Sequence, residues 1–263
     1  MSATGAPRLA VLGLGEAGGL LAADLAAAGA EVHAYDPADA PTPPAVKRHP
    51  TAGEAVAAAD IVLAVTTANR AETALDAAAG ALAPGTIYAD LSTSAPARKQ
   101  ELAAKATAAG AGFVDVALMA PVPGRGLRVR ALASGPAAWA LVAALQPLGM
   151  PLEVVGDEPG RAAARKLLRS VVMKGLAQLL IESLDAADAA GVAAETWDDL
   201  VAQLASVDEA LVRRLVTDTR RHALRRVEEI EAAVGLLDEL GVDATMSRAT
   251  AFRLRRIATG ESG

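Results

Sequence analysis

Three glycines stand where a tight turn has to hold an anion. They form Gly13-x-Gly15-x-x-Gly18, between the apolar run 9–13 and an Ala-rich amphipathic run that ends at Gly29. Gly13 permits a sharp turn off a strand, Gly15 leaves room for a pyrophosphate against the backbone, and Gly18 lets the next helix pack closely on a sheet. The helix N-terminus then offers unpaired N–H groups to the phosphate oxygens. Leu14, Glu16 and Ala17 fill the same turn and are assigned with it. A second apolar run, Glu31–Tyr35, ends in Asp36, 18 residues past Gly18. A carboxylate at that spacing meets the adenosine ribose hydroxyls of a dinucleotide. It would also repel a 2′-phosphate, so NAD is the expected cofactor. NADP is the alternative, with Lys47 and Arg48 just downstream as cations able to receive its extra phosphate.

Other side chains fall into chemically suggestive groups. Lys166, Ser170 and Lys174 stand at i, i+4 and i+8, so on a helix they share one stripe. Two readings are open. The lysines can lay their stems on apolar surface and reach water with their ammonium groups. Alternatively, the stripe faces a cleft between domains, where a partly desolvated lysine exchanges a proton with a substrate oxygen or nitrogen. Ser92 and Thr93, in Asp90-Leu-Ser-Thr-Ser94, follow a candidate strand end, where ligands of open α/β sheets bind. Their hydroxyls would hold a substrate carboxylate or a nicotinamide carboxamide, or else cap the following helix. Val65 and Thr66, at the end of the preceding strand, would border the adenosine. The turn-rich loop 120–126 offers glycine N–H groups to an anion, with Arg125 or Arg128 adding charge. His222 lies among Arg220, Arg221, Arg225 and Arg226, a pattern that reads as a solvated helix face. Three scattered histidines and no cysteine argue against a transition-metal site.

The elements needed to position these groups are legible as an alternation. Candidate strands 9–13, 31–35, 61–65, 86–90 and 112–116 are separated by helical patterns at 16–28, 53–58, 69–79 and 96–109. That order predicts a doubly wound, mostly parallel sheet with helices on both faces, an α/β fold of Rossmann type. The Pro-rich stretch 37–50 replaces a second crossover helix and predicts a trimmed sheet edge. Two more strands, near 128–134 and 152–155, flank a helix at 136–145. After residue 157 the pattern is all helical. The run 161–190 holds no proline and one glycine, long enough for a helix of roughly 45 Å. Further helices are expected near 195–205, 208–216, 219–240 and 246–258. Residues 1–157 are therefore read as the dinucleotide-binding domain, and 158–263 as a smaller all-helical domain for substrate and dimerisation.

Composition narrows the class. A net charge of −6 speaks against a general nucleic-acid partner. Absence of cysteine removes disulfides and thiol chemistry, and with no targeting segment in view the expected location is cytoplasmic. The uncharged window 131–152 is broken by Gly135-Pro136, Pro147, Gly149 and Pro151, so no membrane span is expected. The long helix is apolar around most of its circumference, through Leu167, Leu168, Val171, Val172, Met173 and Leu176 onward. Such a helix needs cover on several sides, which predicts a homodimer through the C-terminal helices.

Taken in order, these features resemble the β-hydroxyacid dehydrogenases, the group that includes 3-hydroxyisobutyrate and 6-phosphogluconate dehydrogenases and the related imine reductases. Gly13–Gly18 is similar to their cofactor loop, Asp90-Leu-Ser-Thr to their substrate or nicotinamide loop, and Ala120-Pro-Val-Pro-Gly124 to their Ala-Pro-Val-Ser-Gly loop. Gly160-x5-Lys166 resembles the glycine and lysine that open their interdomain helix. The resemblance implies that Lys166 is the proton donor or acceptor, that Ser170 and Lys174 share its stripe in the site, and that Ser92, Val122 and Gly124 line the substrate. Two departures stand out: Ser170 occupies a place often held by Asn, and Pro123 replaces the loop serine, removing a hydroxyl and an N–H. The segments 170–175 and 221–226 are similar to a subgroup with its own short helical C-terminal domain, in which Lys174 and His222 belong to the pocket. The expected activity is hydride transfer between nicotinamide and a small polar substrate, foremost a β-hydroxyacid. Imine reduction, or a nucleotide sensor without turnover, are the alternatives.

Overall fold

The computed structural model describes residues 7–261. Eight strands form one sheet: β1 (Arg8–Leu12), β2 (Glu31–Tyr35), β3 (Val46–Arg48), β4 (Ile61–Ala64), β5 (Ile87–Asp90), β6 (Gly112–Leu118), β7 (Ala131–Ser134) and β8 (Leu152–Gly156). Their order across the sheet is β3-β2-β1-β4-β5-β6-β7-β8, parallel throughout except where β6 meets β7. β1 and β4 are buried along nearly their whole length, as central strands covered on both faces must be. Side chains alternate between two cores. Leu9 and Val11 pack with Leu21 and Leu25 of α1 (Glu16–Ala27). Ala10 and Leu12 face the opposite layer with α2 (Ala52–Val56), α3 (Ala71–Ala79) and α4 (Pro96–Ala108). α5 (Ala138–Leu145) joins the α1 face.

The chain reverses its direction of travel across the sheet between β1 and β4, the switch point beside which ligands of such sheets bind. There the Gly13 N–H bonds to the Tyr35 carbonyl and the Val65 N–H to the Leu12 carbonyl, both at 2.8 Å. The glycine turn and the Val65–Thr67 segment are thereby set side by side.

The Pro-rich stretch holds no crossover helix, as expected, and the sheet edge there is the three-residue strand β3, paired with β2 from Val32↔Val46 to Ala34↔Arg48. The Arg48 guanidinium donates to the carbonyls of Asp36, Ala38 and Ala40, giving a loop with little regular structure its missing hydrogen bonds.

Helix α6 (Arg161–Ala189) is followed by α7 (Ala193–Ala205), α8 (Glu209–Arg221), α9 (Ala223–Glu239) and α10 (Thr245–Ala258). The chain divides into two compact units between Arg169 and Ser170, inside α6. The first turn of α6 is bound into the sheet: Ala162 N–H donates to Ser134 Oγ (3.0 Å) and Ala163 N–H to Asp115 Oδ2 (2.8 Å). The break expected near residues 217–218 falls instead at His222, because α8 continues through Thr217–Thr219 to Arg221. The second unit has a small core of Ala186, Leu237 and Ala244. Leu168, Val171, Val172 and Met173, expected to be covered, are 69%, 71%, 66% and 50% exposed in the single chain. None of the described helices is long and apolar enough to cross a membrane.

Candidate functional site

At the switch point the first unit opens a cleft of about 560 Å³ lined by Gly15–Gly18, Val65–Ala68, Leu91, Thr93, Leu118, the loop 120–123 and Lys166. Its floor is the glycine turn. A Cβ on Gly18 would lie 2.0 Å from the Gly13 carbonyl oxygen, and Gly13 itself adopts φ +102°. Neither position tolerates a side chain. Gly15 differs: a Cβ there would meet nothing within 4 Å, so its backbone borders open space. Gly15 is also the N-cap of α1 and makes no side-chain capping bond, so the first N–H groups of that helix remain available to an anion. Thr66 Oγ1 on the adjoining wall is buried and has no hydrogen-bond partner among the described residues. Open space at Gly15, an uncapped helix end and an orphaned hydroxyl fit a dinucleotide.

Asp36 holds this turn from the side. Its carboxylate accepts the N–H groups of Leu14 at 2.6 Å and Ala38 at 2.8 Å. Leu14 is buried, so only its backbone takes part. Arg48 is committed to loop carbonyls, and Lys47 is exposed on β3.

On the opposite wall, Lys166 Nζ donates to Thr93 Oγ1 at 2.8 Å. Burial lowers the pKa of this half-buried ammonium below the ordinary lysine value; the charge of Lys99 adds to the effect and Asp115 opposes it. Arg169 reaches past the loop to the Met119 carbonyl at 2.5 Å. Val122 and Pro123 give the cleft an apolar side, while Gly124, at φ +75°, turns the loop just beyond it.

The Ser92 hydroxyl, expected to face a ligand, is turned inward. It donates to Asp90 Oδ2 at 2.8 Å and pairs with Ser94 Oγ at 2.9 Å, in a network with Lys99 at its centre. Lys99 Nζ meets Asp90 Oδ2 at 2.7 Å and Asp115 Oδ1 at 3.0 Å, with all three side chains at most 1% exposed. Register explains the meeting: Asp90, Asp115 and Ser134 are neighbours across β5, β6 and β7. This cluster is missing from the reading of the sequence, yet it leaves two signals there. Lys99 falls on the apolar stripe of α4 with Leu102, Ala103 and Ala106, and Asp115 interrupts the apolar run Phe113–Leu118.

Ser170, Lys174 and His222 belong to the second unit, Lys174 and His222 exposed. His33 and His49 are not isolated. Their rings stack and share a 2.7 Å hydrogen bond, with Glu31 on the far nitrogen of His33. No cluster of three potential metal ligands occurs among the described residues.

The parallel sheet, its glycine turn and the cleft at the switch point define a nucleotide-binding protein of Rossmann type. Residues 8–127 match the NAD binding domain of 6-phosphogluconate dehydrogenase, and residues 187–257 match a domain of unknown function, DUF1932. The chain belongs to this 6-phosphogluconate dehydrogenase-like family of NAD(P)-binding dehydrogenases and reductases. A conserved hypothetical protein from Sinorhizobium meliloti 1021 is 30% identical, covering 95% of this chain and 87% of its own, with a TM-score of 0.63. An imine reductase from Myxococcus stipitatus shares the fold at 21% identity and a TM-score of 0.83 over 97% of this chain and 94% of its own, solved as a V8 variant in complex with NAD+. Over 86 residues the chain is 34% identical to an uncharacterized 28.5 kDa protein in the 7S RNA 5′ region of Methanothermus fervidus. That match spans 33% of this chain and 34% of the curated relative.

Proposed function

We propose that this protein is an NAD-dependent oxidoreductase that moves a hydride between nicotinamide and a small polar substrate, with Lys166 as the proton carrier. The observation that carries the reading is the placement of Lys166 on the cleft wall, held by Thr93 and stripped of part of its hydration. An ammonium whose proton affinity is lowered by burial gives up its proton more readily and can take it back. The nicotinamide, when bound, supplies the hydride chemistry. Gly13–Gly18 and the first N–H groups of α1 would hold its pyrophosphate, Val65 and Thr66 would border it, and Asp36 would accept its ribose hydroxyls. Thr93 orients Lys166, and Val122 with Pro123 keeps water from one side of the substrate. Gly124 is assigned to the substrate on the resemblance described above. Ser92 acts from beneath the loop.

A β-hydroxyacid is the first substrate class. Imine reduction is the second, supported by the fold shared with imine reductases and by an apolar cleft wall in which proline has replaced a polar loop residue. Asp36 supports NAD over NADP, as does the engagement of Arg48 by three carbonyls. Titration of cofactor fluorescence is expected to give a lower Kd for NADH than for NADPH; tighter NADPH binding contradicts the assignment. A panel of hydroxyacids, ketoacids and cyclic imines then tests turnover, and binding without turnover across it favours a sensor.

The exposed apolar side chains of the second unit, Val171, Val172, Leu215 and Leu224 among them, support pairing of two copies through these helices. Light scattering is expected to report a dimer, and a mass near the 26.5 kDa of one chain at all concentrations excludes it. Absence of cysteine supports a cytoplasmic location.

A further inference from the structure

We propose that Lys99 is a positioning residue for Lys166: buried between Asp90 and Asp115, it ties the loop that carries Thr93 to the helix end that carries Lys166, and it adds a fixed positive charge to the surroundings of that lysine. The inference rests on the reading of Lys166 as the proton carrier.

The connections run in two directions from one ammonium group. Toward the loop, Lys99 Nζ bonds the Asp90 carboxylate at 2.7 Å and the Asp90 carbonyl at 3.0 Å. Asp90 in turn accepts from the Ser92 hydroxyl, one residue before Thr93. Toward the helix, Lys99 meets Asp115, whose other oxygen accepts the Ala163 N–H at 2.8 Å, one turn before Lys166. The two anchors of the Thr93–Lys166 hydrogen bond are thus joined through one fully buried cation. Removing it would leave two carboxylates without their counter-charge in a site that excludes water.

The charge matters as well as the linkage. Asp90 and Asp115 together carry two negative charges, Lys99 offsets one, and a protonated Lys166 offsets the other. Without Lys99 the pocket would hold the Lys166 proton more tightly. The direction of the Lys166 shift agrees: burial is the largest cause, and Lys99 acts in the same sense. Arg165 pairs with Glu153 of β8 at 3.3 Å, Arg169 binds the Met119 carbonyl, and Glu16 of α1 lines the cleft.

The test follows the titration of Lys166 itself by NMR of isotope-labelled lysine. The chain has five lysines, and the Lys166 signal is assigned by its loss in Lys166→Arg. In Lys99→Met, Lys166 loses a repelling cation while Asp90 and Asp115 both remain. Its pKa is expected to rise by roughly one unit. Where that chain fails to fold, Lys99→Gln, which keeps a hydrogen-bonding group between the two carboxylates, carries the test. An unchanged or lowered Lys166 pKa in the folded Lys99 variant overturns the proposal. A pH profile of turnover separates this result from the underlying reading. If the Lys166 titration rises while the pH profile stays as in the wild type, Lys99 does tune Lys166, and the assignment of proton transfer to Lys166 falls instead.

Discussion

Each compact unit buries a carboxylate that caps a helix, and the two do it by different means. In the first, Asp115 receives the Ala163 N–H of α6 and shares the cation Lys99 with Asp90. In the second, Glu182 receives the N–H groups of Met246 and Ser247 at the start of α10, at 2.6 and 2.9 Å, and the Ser247 hydroxyl at 2.6 Å. It forms no ion pair among the described residues. Hydrogen bonds alone suffice for a cap, as the second unit shows. The counter-charge in the first unit answers a second buried carboxylate, Asp90, and on the proposal above it also acts on Lys166, one turn beyond the capped Ala163. The surroundings differ in the same sense. The first unit closes two apolar layers around its sheet, whereas the second leaves much of its helical apolar surface exposed.

The largest expected effect breaks this contrast directly. Lys99→Met leaves the buried carboxylates Asp90 and Asp115 without their counter-charge and should cost about 3–5 kcal/mol of stability. The matching change Glu182→Gln keeps part of its hydrogen bonding and should cost about 1–3 kcal/mol. Urea unfolding of the two variants, with hydrogen exchange to assign the loss to one unit, checks the order. Equal losses would mean that the ion pair contributes nothing beyond a cap.

A smaller effect sharpens the contrast through pH. Burial lowers the His49 pKa below 6.5, with the neighbouring His33 and Lys47 acting in the same direction and Glu54 against it. The unfolded chain therefore takes up a proton near pH 6.5 while the folded chain resists it. Stability should fall as the pH drops from 6.5 toward the folded value, and hydrogen exchange should locate the loss at the β2–β3 edge. His49→Gln should remove that slope; an unchanged slope would place its origin elsewhere.

Much of the first unit was open to reading from the sequence because its strands are short apolar runs bounded by glycine, proline and aspartate. β1, β2, β4 and β5 fall within one or two residues of expectation for that reason. β3 was not, since a three-residue strand amid prolines has no period, and its pairing depends on β2. The glycine turn was legible because Gly13 and Gly18 answer steric demands, while Gly15 borders the open space a ligand needs. The Lys99 cluster was hidden because charge ordinarily signals solvent. Only the apolar spacing 99, 102, 103, 106 and the lone acid in β6 betray burial. Ser92 shows the same limit: a hydroxyl at the right level of the sheet points inward or outward according to partners on distant elements. Exposure of α6 reflects a different gap, since an apolar helix reports a need for cover without saying which surface supplies it.

The central claim is tested most directly by Lys166→Met, assayed for turnover on whichever hydroxyacid or imine the substrate panel identifies, with NADH binding measured on the same sample. Turnover should fall by about 10²–10⁴-fold, as for a lost general acid or base, while the Kd for NADH stays at its wild-type value. Lys166→Arg should not restore it, because a guanidinium keeps its proton near neutral pH. Near-wild-type turnover in the methionine variant would contradict the account.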